Sequence, residues 1–412
     1  MNKQVKEKKL LNNLKAYVLY RGLSYDFLFL LAMEVLFLTH IKGFSLSGVM
    51  FLTAFGASAS FLLQVPMAMI YSKVGSGRLI KIGPLFLLAA VLIYIFASSY
   101  GTFFIASLLR AIGAACVVMA SNPMLYNSLR TLKREEEFSK IEGKGVSLFF
   151  LLNALAMVVS GFLFDINGYI PIILCAITLV ILWIVSLRFS EIEEQKDLKS
   201  YSFKDNVNDY KRIINSKFLI SVILFAGIIW GLFGIFLQFE KAYLDSIGVS
   251  ATFIGMIMAG VSLTSFLAAR YNYKIQNILG KNDLRFTAIF LLLMLILLGI
   301  PYILGAPFIL LTIIAIVSQL GRSLIKSPYR IFVKRYLYDG TDKNTISKAL
   351  ALFNMSEAIG RASFAALAGI LLQFANIGEA YIYIFVIALI VIVVPLKRVY
   401  DNFDKQSIEF EE

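Results

Sequence analysis

The sequence predicts an all-α polytopic membrane protein of twelve transmembrane helices, arranged as two pseudo-symmetric six-helix halves with both termini cytoplasmic. Three observations predict it. Hydrophobic residues make up 59% of the 412 and charged residues only 16%, against about 25% charged in soluble domains. Twelve apolar runs are each long enough to cross a bilayer as a helix. The basic residues alternate from one connection to the next in a way that only membrane topology explains.

Taken in order, the predicted spans are 17–39, 44–70, 79–98, 102–126, 145–166, 168–187, 217–239, 250–271, 286–304, 307–329, 347–373 and 379–396. The first follows a basic segment, MNKQVKEKKLLNNLK. Its apolar core is longer than that of a signal peptide and no small-residue cleavage site follows, so an uncleaved first helix is expected. The boundary between spans five and six is set by the turn-like Asp165-Ile166-Asn167-Gly168. The connections 1–2, 3–4, 5–6, 7–8, 9–10 and 11–12 hold two basic residues, Lys42 and Lys241. The N-tail, the other five connections and the C-tail, counted with their flanks, hold 35. That asymmetry puts both termini inside. It also accounts for the net charge of +13 by topology and membrane surface, which sets nucleic-acid binding aside.

The longest hydrophilic stretch, Arg188 to Ser216, lies between spans six and seven. It divides the chain into an N-terminal bundle 1–188, a cytoplasmic linker 189–216 and a C-terminal bundle 217–412. A shift of 205 residues aligns the halves. Gly43-Phe44-Ser45 meets Gly248-Val249-Ser250, Ser60-Phe61-Leu62 meets Ser265-Phe266-Leu267, Gly75 meets Gly280, and Pro123 meets Pro328. At a shift of 208, Ser139-Lys140 meets Ser347-Lys348 and Gly161 meets Gly369. Six spans per half make this a parallel repeat about an axis along the membrane normal.

These features resemble the major facilitator superfamily across essentially the whole chain. The family's hallmark lies between helices two and three. Here that stretch reads Ala68-Met69-Ile70-Tyr71-Ser72-Lys73-Val74-Gly75-Ser76-Gly77-Arg78, preceded by Pro66. Lys73, Gly75 and a displaced Arg78 match the pattern, whereas Ser72 replaces its aspartate and Ala68 its leading glycine. The resemblance implies a cytoplasmic gate built from Ser72, Lys73, Gly75 and Arg78 that lacks the usual carboxylate. A second family pattern, an arginine followed by small residues in helix four, appears as Leu109-Arg110-Ala111-Ile112-Gly113-Ala114-Ala115. The glycine–proline run of drug–proton antiporters is absent from Ala154 to Gly161.

Charges inside spans are costly, about 2.5–3.5 kcal/mol at the centre of a lone helix, and mark an interior or a water-filled cavity. Span one carries Asp26 and Glu34, and span four carries Arg110. At 1.5 Å per residue, Arg110 lies roughly 12 Å from the outer end, between Glu34 at roughly 8 Å and Asp26 at roughly 20 Å. One acid is expected to pair with Arg110 and to titrate during transport; a static ion pair is the alternative. Glu357 and Arg361 are i, i+4 on span eleven and either contact substrate or neutralise each other. Arg322 and Lys326 on span ten are expected as a cytoplasmic gate or as positive-inside anchors. Glu240 and Asp165, at span ends, read as exposed loop-end charges. Asn122, Asn153, Gln238, Gln319 and Asn354 serve as cavity contacts or helix–helix hydrogen bonds, and Trp230 as a wall for an amphiphile.

No glycine-rich Lys-Ser/Thr loop, histidine cluster or cysteine pair with metal spacing occurs, so no cofactor, metal or enzymatic activity is expected. The expected protein is a monomeric, multi-pass transporter of the cell membrane that takes a small molecule and uses protons as coupling ion. Export of an amphiphilic drug or metabolite leads. Carriage of an anionic nutrient or metabolite, or lipid handling, is the alternative.

Overall fold

The computed structural model describes residues 3–24, 27–190, 210–341 and 345–409, and the regular secondary structure among those residues is all helical. In chain order the helices are α1 (Lys3–Ser24), α2 (Leu30–Leu36, continued by a π-helical turn Phe37–Ile41), α3 (Leu46–Leu62) and α4 (Gln64–Val74). There follow α5 (Ser76–Phe96), α6 (Tyr100–Leu132), α7 (Phe138–Ile166) and α8 (Tyr169–Ser186). The remainder are α9 (Lys217–Ser246), α10 (Ala251–Arg270), α11 (Asn272–Leu279), α12 (Asp283–Ile303), α13 (Phe308–Asp339), α14 (Ile346–Leu371) and α15 (Ile377–Glu409). Nine helices among the described residues are long and apolar enough to cross a membrane. Many large apolar side chains point outward, Ile105, Val118, Leu155, Ile181, Leu293 and Ile390 among them. That arrangement suits lipid and would aggregate in water.

Span one, expected as one continuous helix, is broken. α1 ends at Ser24, and α2 starts after Phe29, whose φ of 67° lies in the left-handed region. A bulky residue there is a backbone outlier that the surrounding packing must hold in place. Span two divides at Leu63 into α3 and α4.

Short local signals set the helix starts. Ser45, Ser99 and Ser216 each accept the backbone N–H three residues on, from Gly48, Thr102 and Leu219, which satisfies one orphan donor of each first turn. The repeat has a backbone counterpart. Gly43 and Gly248, 205 positions apart, both have positive φ (69° and 92°), and so do Gly75 and Gly280 (79° and 55°). Pro123 and Pro328, at the same shift, both sit inside long helices.

Two compact units emerge. One comprises Met1–Asp197 with Val249–Leu263, and the other Leu198–Gly248 with Thr264–Glu412. In the first unit, α5 crosses α6 at Gly83 and Gly113; a Cβ on Gly113 would lie 2.9 Å from the Leu87 backbone nitrogen. In the second, α9 crosses α14 at Gly231; a Cβ there would lie 2.7 Å from the Gly360 carbonyl oxygen. Small residues at such crossings let backbones approach where polar partners must meet.

Candidate functional site

The first unit carries two charge clusters. In one, Arg110 of α6 reaches Glu34 of α2 with its Nη1 2.6 Å from Oε1, and the Tyr94 hydroxyl of α5 donates to the same oxygen at 3.1 Å. The Arg110 guanidinium also lies over the Phe27 ring, 4.5 Å from its centroid. Glu34 and Tyr94 are buried. Tyr94 faces the pair because Leu87, two turns earlier on α5, is the residue seated against Gly113. Asp26, the other acid of span one, lies outside the described residues.

In the second cluster, Arg21 of α1 binds Glu142 of α7 through Nη2 (2.9 Å) and Nε (3.0 Å). The Tyr17 hydroxyl, one turn before Arg21, donates to Glu142 and stands 3.0 Å from Asn122 Oδ1. Gly145 makes room for it: a Cβ there would lie 2.7 Å from the Arg21 Cβ. Sequence reasoning missed this cluster. Arg21 and Glu142 sit near span ends and passed for flanking charges. The i, i+4 spacing of Tyr17 and Arg21 was the available signal.

The second unit repeats the pattern. Glu240 of α9 and Arg322 of α13 form an ion pair, both about 5% exposed at their side chains. The Arg322 guanidinium lies 3.9 Å from the Phe236 centroid, and its Nε donates to the Ser318 carbonyl at 3.1 Å. This corrects two expectations: Glu240 is no exposed loop-end charge, and Arg322 is no surface anchor. α9 runs on to Ser246, so Glu240 and Lys241, both buried, belong to a helix interior and not to a connection. The second cluster of this unit joins Arg330 of α13 to both carboxylate oxygens of Glu357 on α14. Arg330 lies 4.3 Å and Lys326 5.6 Å from the Trp230 ring centroid, and Tyr329 stacks on Trp230 at 6.4 Å. Glu357, expected either to contact substrate or to neutralise Arg361, is held by Arg330. The Arg361 stem packs beside Gly234, where a Cβ would lie 3.2 Å from its Cγ.

The remaining predicted residues are scattered. Asn153 donates to Ser262 at 3.0 Å, a bond between α7 and the part of α10 that belongs to the same unit. Gln238 is half-buried, and Asn122 and Asn354 are exposed. Lys73 near the end of α4 and Arg78 in the first turn of α5 are exposed, and Gly75 between the two helices turns the chain with positive φ. The position of Ser72 lies at the end of α4. Asp165, exposed as expected, accepts from the Thr252 backbone N–H at 2.9 Å and from its hydroxyl at 2.5 Å, so it caps the first turn of α10. No group of three metal-ligating side chains occurs among the described residues.

The sequence profile described as Major Facilitator Superfamily matches residues 22–338, more than three quarters of the chain. The chain belongs to the major facilitator superfamily. Solved structures agree in fold. A mutant of the nucleoside transporter NupG superposes with a TM-score of 0.74 at 13% identity, covering 96% of this chain and 100% of that one. A POT family transporter in complex with a thioalcohol-conjugated peptide gives 0.69 at 13%, with 96% of each chain covered. A bacterial homolog of the human lysosomal transporter Spinster, inward-facing and unoccupied, gives 0.65 at 12%, with 97% of each covered. No curated protein matches the sequence. Membership of the superfamily makes this chain a membrane-embedded transporter of a small molecule and not an enzyme.

Proposed function

We propose that this superfamily member is a proton-coupled secondary transporter of the cell membrane that exports a small amphiphilic drug or metabolite. In this reading twelve helices form two six-helix halves, 1–188 and 217–412, joined by the linker 189–216. Both termini are cytoplasmic, and a monomer works by alternating access. The observation that carries the reading is the Glu34–Arg110–Tyr94 cluster. A carboxylate gripped by a guanidinium and a phenol joins three helices through one oxygen for which a proton competes. Proton uptake on Glu34, or on Asp26 of the same span, is then linked to a change in how α2 and α6 engage.

The described arginines weigh against the anionic alternative. Arg110, Arg322 and Arg330 each already face a carboxylate, so none offers an uncompensated charge to an anion. Trp230 and its cationic neighbours supply an amphiphile with an aromatic wall. In this reading the stretch from Ser72 to Arg78 serves as a cytoplasmic gate in the first unit, and Lys326 serves one in the second.

The test uses proteoliposomes loaded with a pH-sensitive dye. Substrate supplied to the wild-type protein should move protons, and Glu34→Gln or Asp26→Asn should abolish the flux while substrate binding persists. Full proton-coupled transport by both neutral variants would sink the coupling assignment.

A further inference from the structure

Nine buried side-chain polar atoms of the described residues, apart from those of the Glu240–Arg322 pair, have no hydrogen-bond partner. Five of them belong to four residues around that pair: the Tyr243 and Tyr381 hydroxyls, the Ser318 hydroxyl, and both ends of the Gln319 carboxamide. All four residues are at most 1% exposed.

They converge from three helices of the second unit. Phe236, Phe239, Glu240 and Tyr243 follow the i, i+3, i+4, i+7 spacing of one face of α9. Ser318, Gln319 and Arg322 share a face of α13 by the same spacing. Tyr381 of α15 packs its ring against Phe236, Phe239 and Tyr243, with centroids 6.1, 5.4 and 6.1 Å away. Buried polar groups are nearly always satisfied, so a concentration of orphans about one ion pair points to an occupant.

We infer that these residues form a binding site for an uncharged, hydroxyl- or amide-rich group, such as the sugar or carboxamide end of a substrate. The charges of Glu240 and Arg322 oppose each other, so the pair offers one strong acceptor and one strong donor without net attraction for an ion. Each hydroxyl both donates and accepts, and the Gln319 carboxamide does each at a different end. A group that alternates donors and acceptors satisfies all of them; a carboxylate or ammonium satisfies only one kind. The rings of Phe236, Phe239, Tyr243 and Tyr381 give a sugar or heterocycle flat faces to lie on.

The inference rests on reading this chain as a small-molecule transporter and names the polar end of what it carries. It does not depend on proton coupling. The test is equilibrium binding to the full-length protein in nanodiscs, with no pH gradient. The probes are methyl glucoside against glucuronate, and uridine against uridine monophosphate. An uncharged member of at least one pair should bind, and its charged counterpart should bind about tenfold more weakly or worse. Tyr381→Phe, Gln319→Leu and Ser318→Ala should each weaken that binding by about tenfold, the loss of one or two good hydrogen bonds. The same variants should keep or raise the thermal midpoint of the empty protein, because each removes an orphan. A purely structural role predicts the reverse, a lowered midpoint with binding untouched. That result overturns the inference, as does equal binding of charged and uncharged probes or no binding of either uncharged probe. Loss of coupling in Glu34→Gln with these results intact would separate the two proposals.

Discussion

Glu240 stands 206 positions after Glu34 in the sequence, and each holds an arginine from a later helix that also lies over a phenylalanine ring. Arg110 lies over Phe27 and Arg322 over Phe236. The glutamates fall one residue from the 205-residue register that relates the glycine turns. The arginines fall seven residues from it, which is two helical turns and therefore nearly the same face. Each unit thus carries a glutamate–arginine pair whose guanidinium lies over a phenylalanine ring.

The first prediction concerns what happens when one partner is lost. Removing one member of a buried pair leaves an uncompensated charge and costs about 3–5 kcal/mol, whereas removing both costs far less. Glu240→Ala and Arg322→Ala should each lower the thermal midpoint sharply, and the double variant should recover most of the loss. Thermal unfolding in detergent checks this. For Glu34 and Arg110 the same cycle should give a smaller effect, because the Arg110 side chain is 29% exposed against 5% for Arg322.

The fold was largely legible because it follows from composition and periodicity. Apolar runs and a low share of charged residues give the all-helical membrane class without any knowledge of contacts. Partnerships were legible only where depth restricted the choice. Glu34 and Arg110 share a depth on spans one and four, and no other arginine lies inside the first six spans away from their ends. Glu240 and Arg322 escaped because α9 extends seven residues past the end of its apolar run. A carboxylate followed by a lysine, as in Phe239-Glu240-Lys241-Ala242, reads as a loop until the burial of both charges is known. For Glu357 the i, i+4 spacing offered Arg361 as a partner beside a substrate contact, since sequence spacing sees neighbours on one helix and not the facing Arg330. The break in span one had no local marker: no proline or glycine lies between Ser24 and Leu30.

The second prediction tests the cluster that sequence reasoning missed. Arg21 grips Glu142 through two nitrogens, a fork geometry that lysine lacks. Arg21→Lys should therefore behave nearly like Arg21→Ala, and Tyr17→Phe should weaken the same cluster by about 1 kcal/mol, the net value of a typical hydrogen bond. A transport assay paired with thermal unfolding separates loss of stability from loss of function. If Arg21→Lys retains full stability and transport, the fork is not what matters there.

The third prediction addresses the contact between α7 and the first half of α10, where a Cβ on Gly161 would lie 3.1 Å from the Gly255 Cα and 2.5 Å from the Ala251 carbonyl oxygen. Backbone cannot yield as a flexible side chain does. Gly161→Val should therefore destabilise the protein by about 1–3 kcal/mol through overpacking. Asp165→Ala, which removes the cap from Thr252, should cost about 0.5–2 kcal/mol. Asp165→Asn should restore most of that, because an amide oxygen still accepts both bonds. Thermal midpoints of the three variants, compared at one lipid and detergent ratio, decide the order.

The fourth prediction uses the two tryptophans of the chain, Trp183 and Trp230. Trp230 lies under Arg330 and beside Lys326, and it stacks on Tyr329. Trp183 has no such cations about it among the described contacts. A guanidinium over an indole face contributes roughly 0.5–1 kcal/mol at an exposed site, and Arg330 is itself 44% exposed. Arg330→Lys should keep the charge but lose the two-point grip on Glu357, so the ring contact and the carboxylate contact fail together. Tryptophan emission in a Trp183→Phe background then reports Trp230 alone. Its emission should shift in Arg330→Lys and again in Glu357→Gln, since Glu357 fixes where the guanidinium sits. An emission spectrum that moves with Arg330→Lys but ignores Glu357→Gln would mean that Trp230 holds Arg330 unaided, and that Glu357 is free to act elsewhere in the cycle.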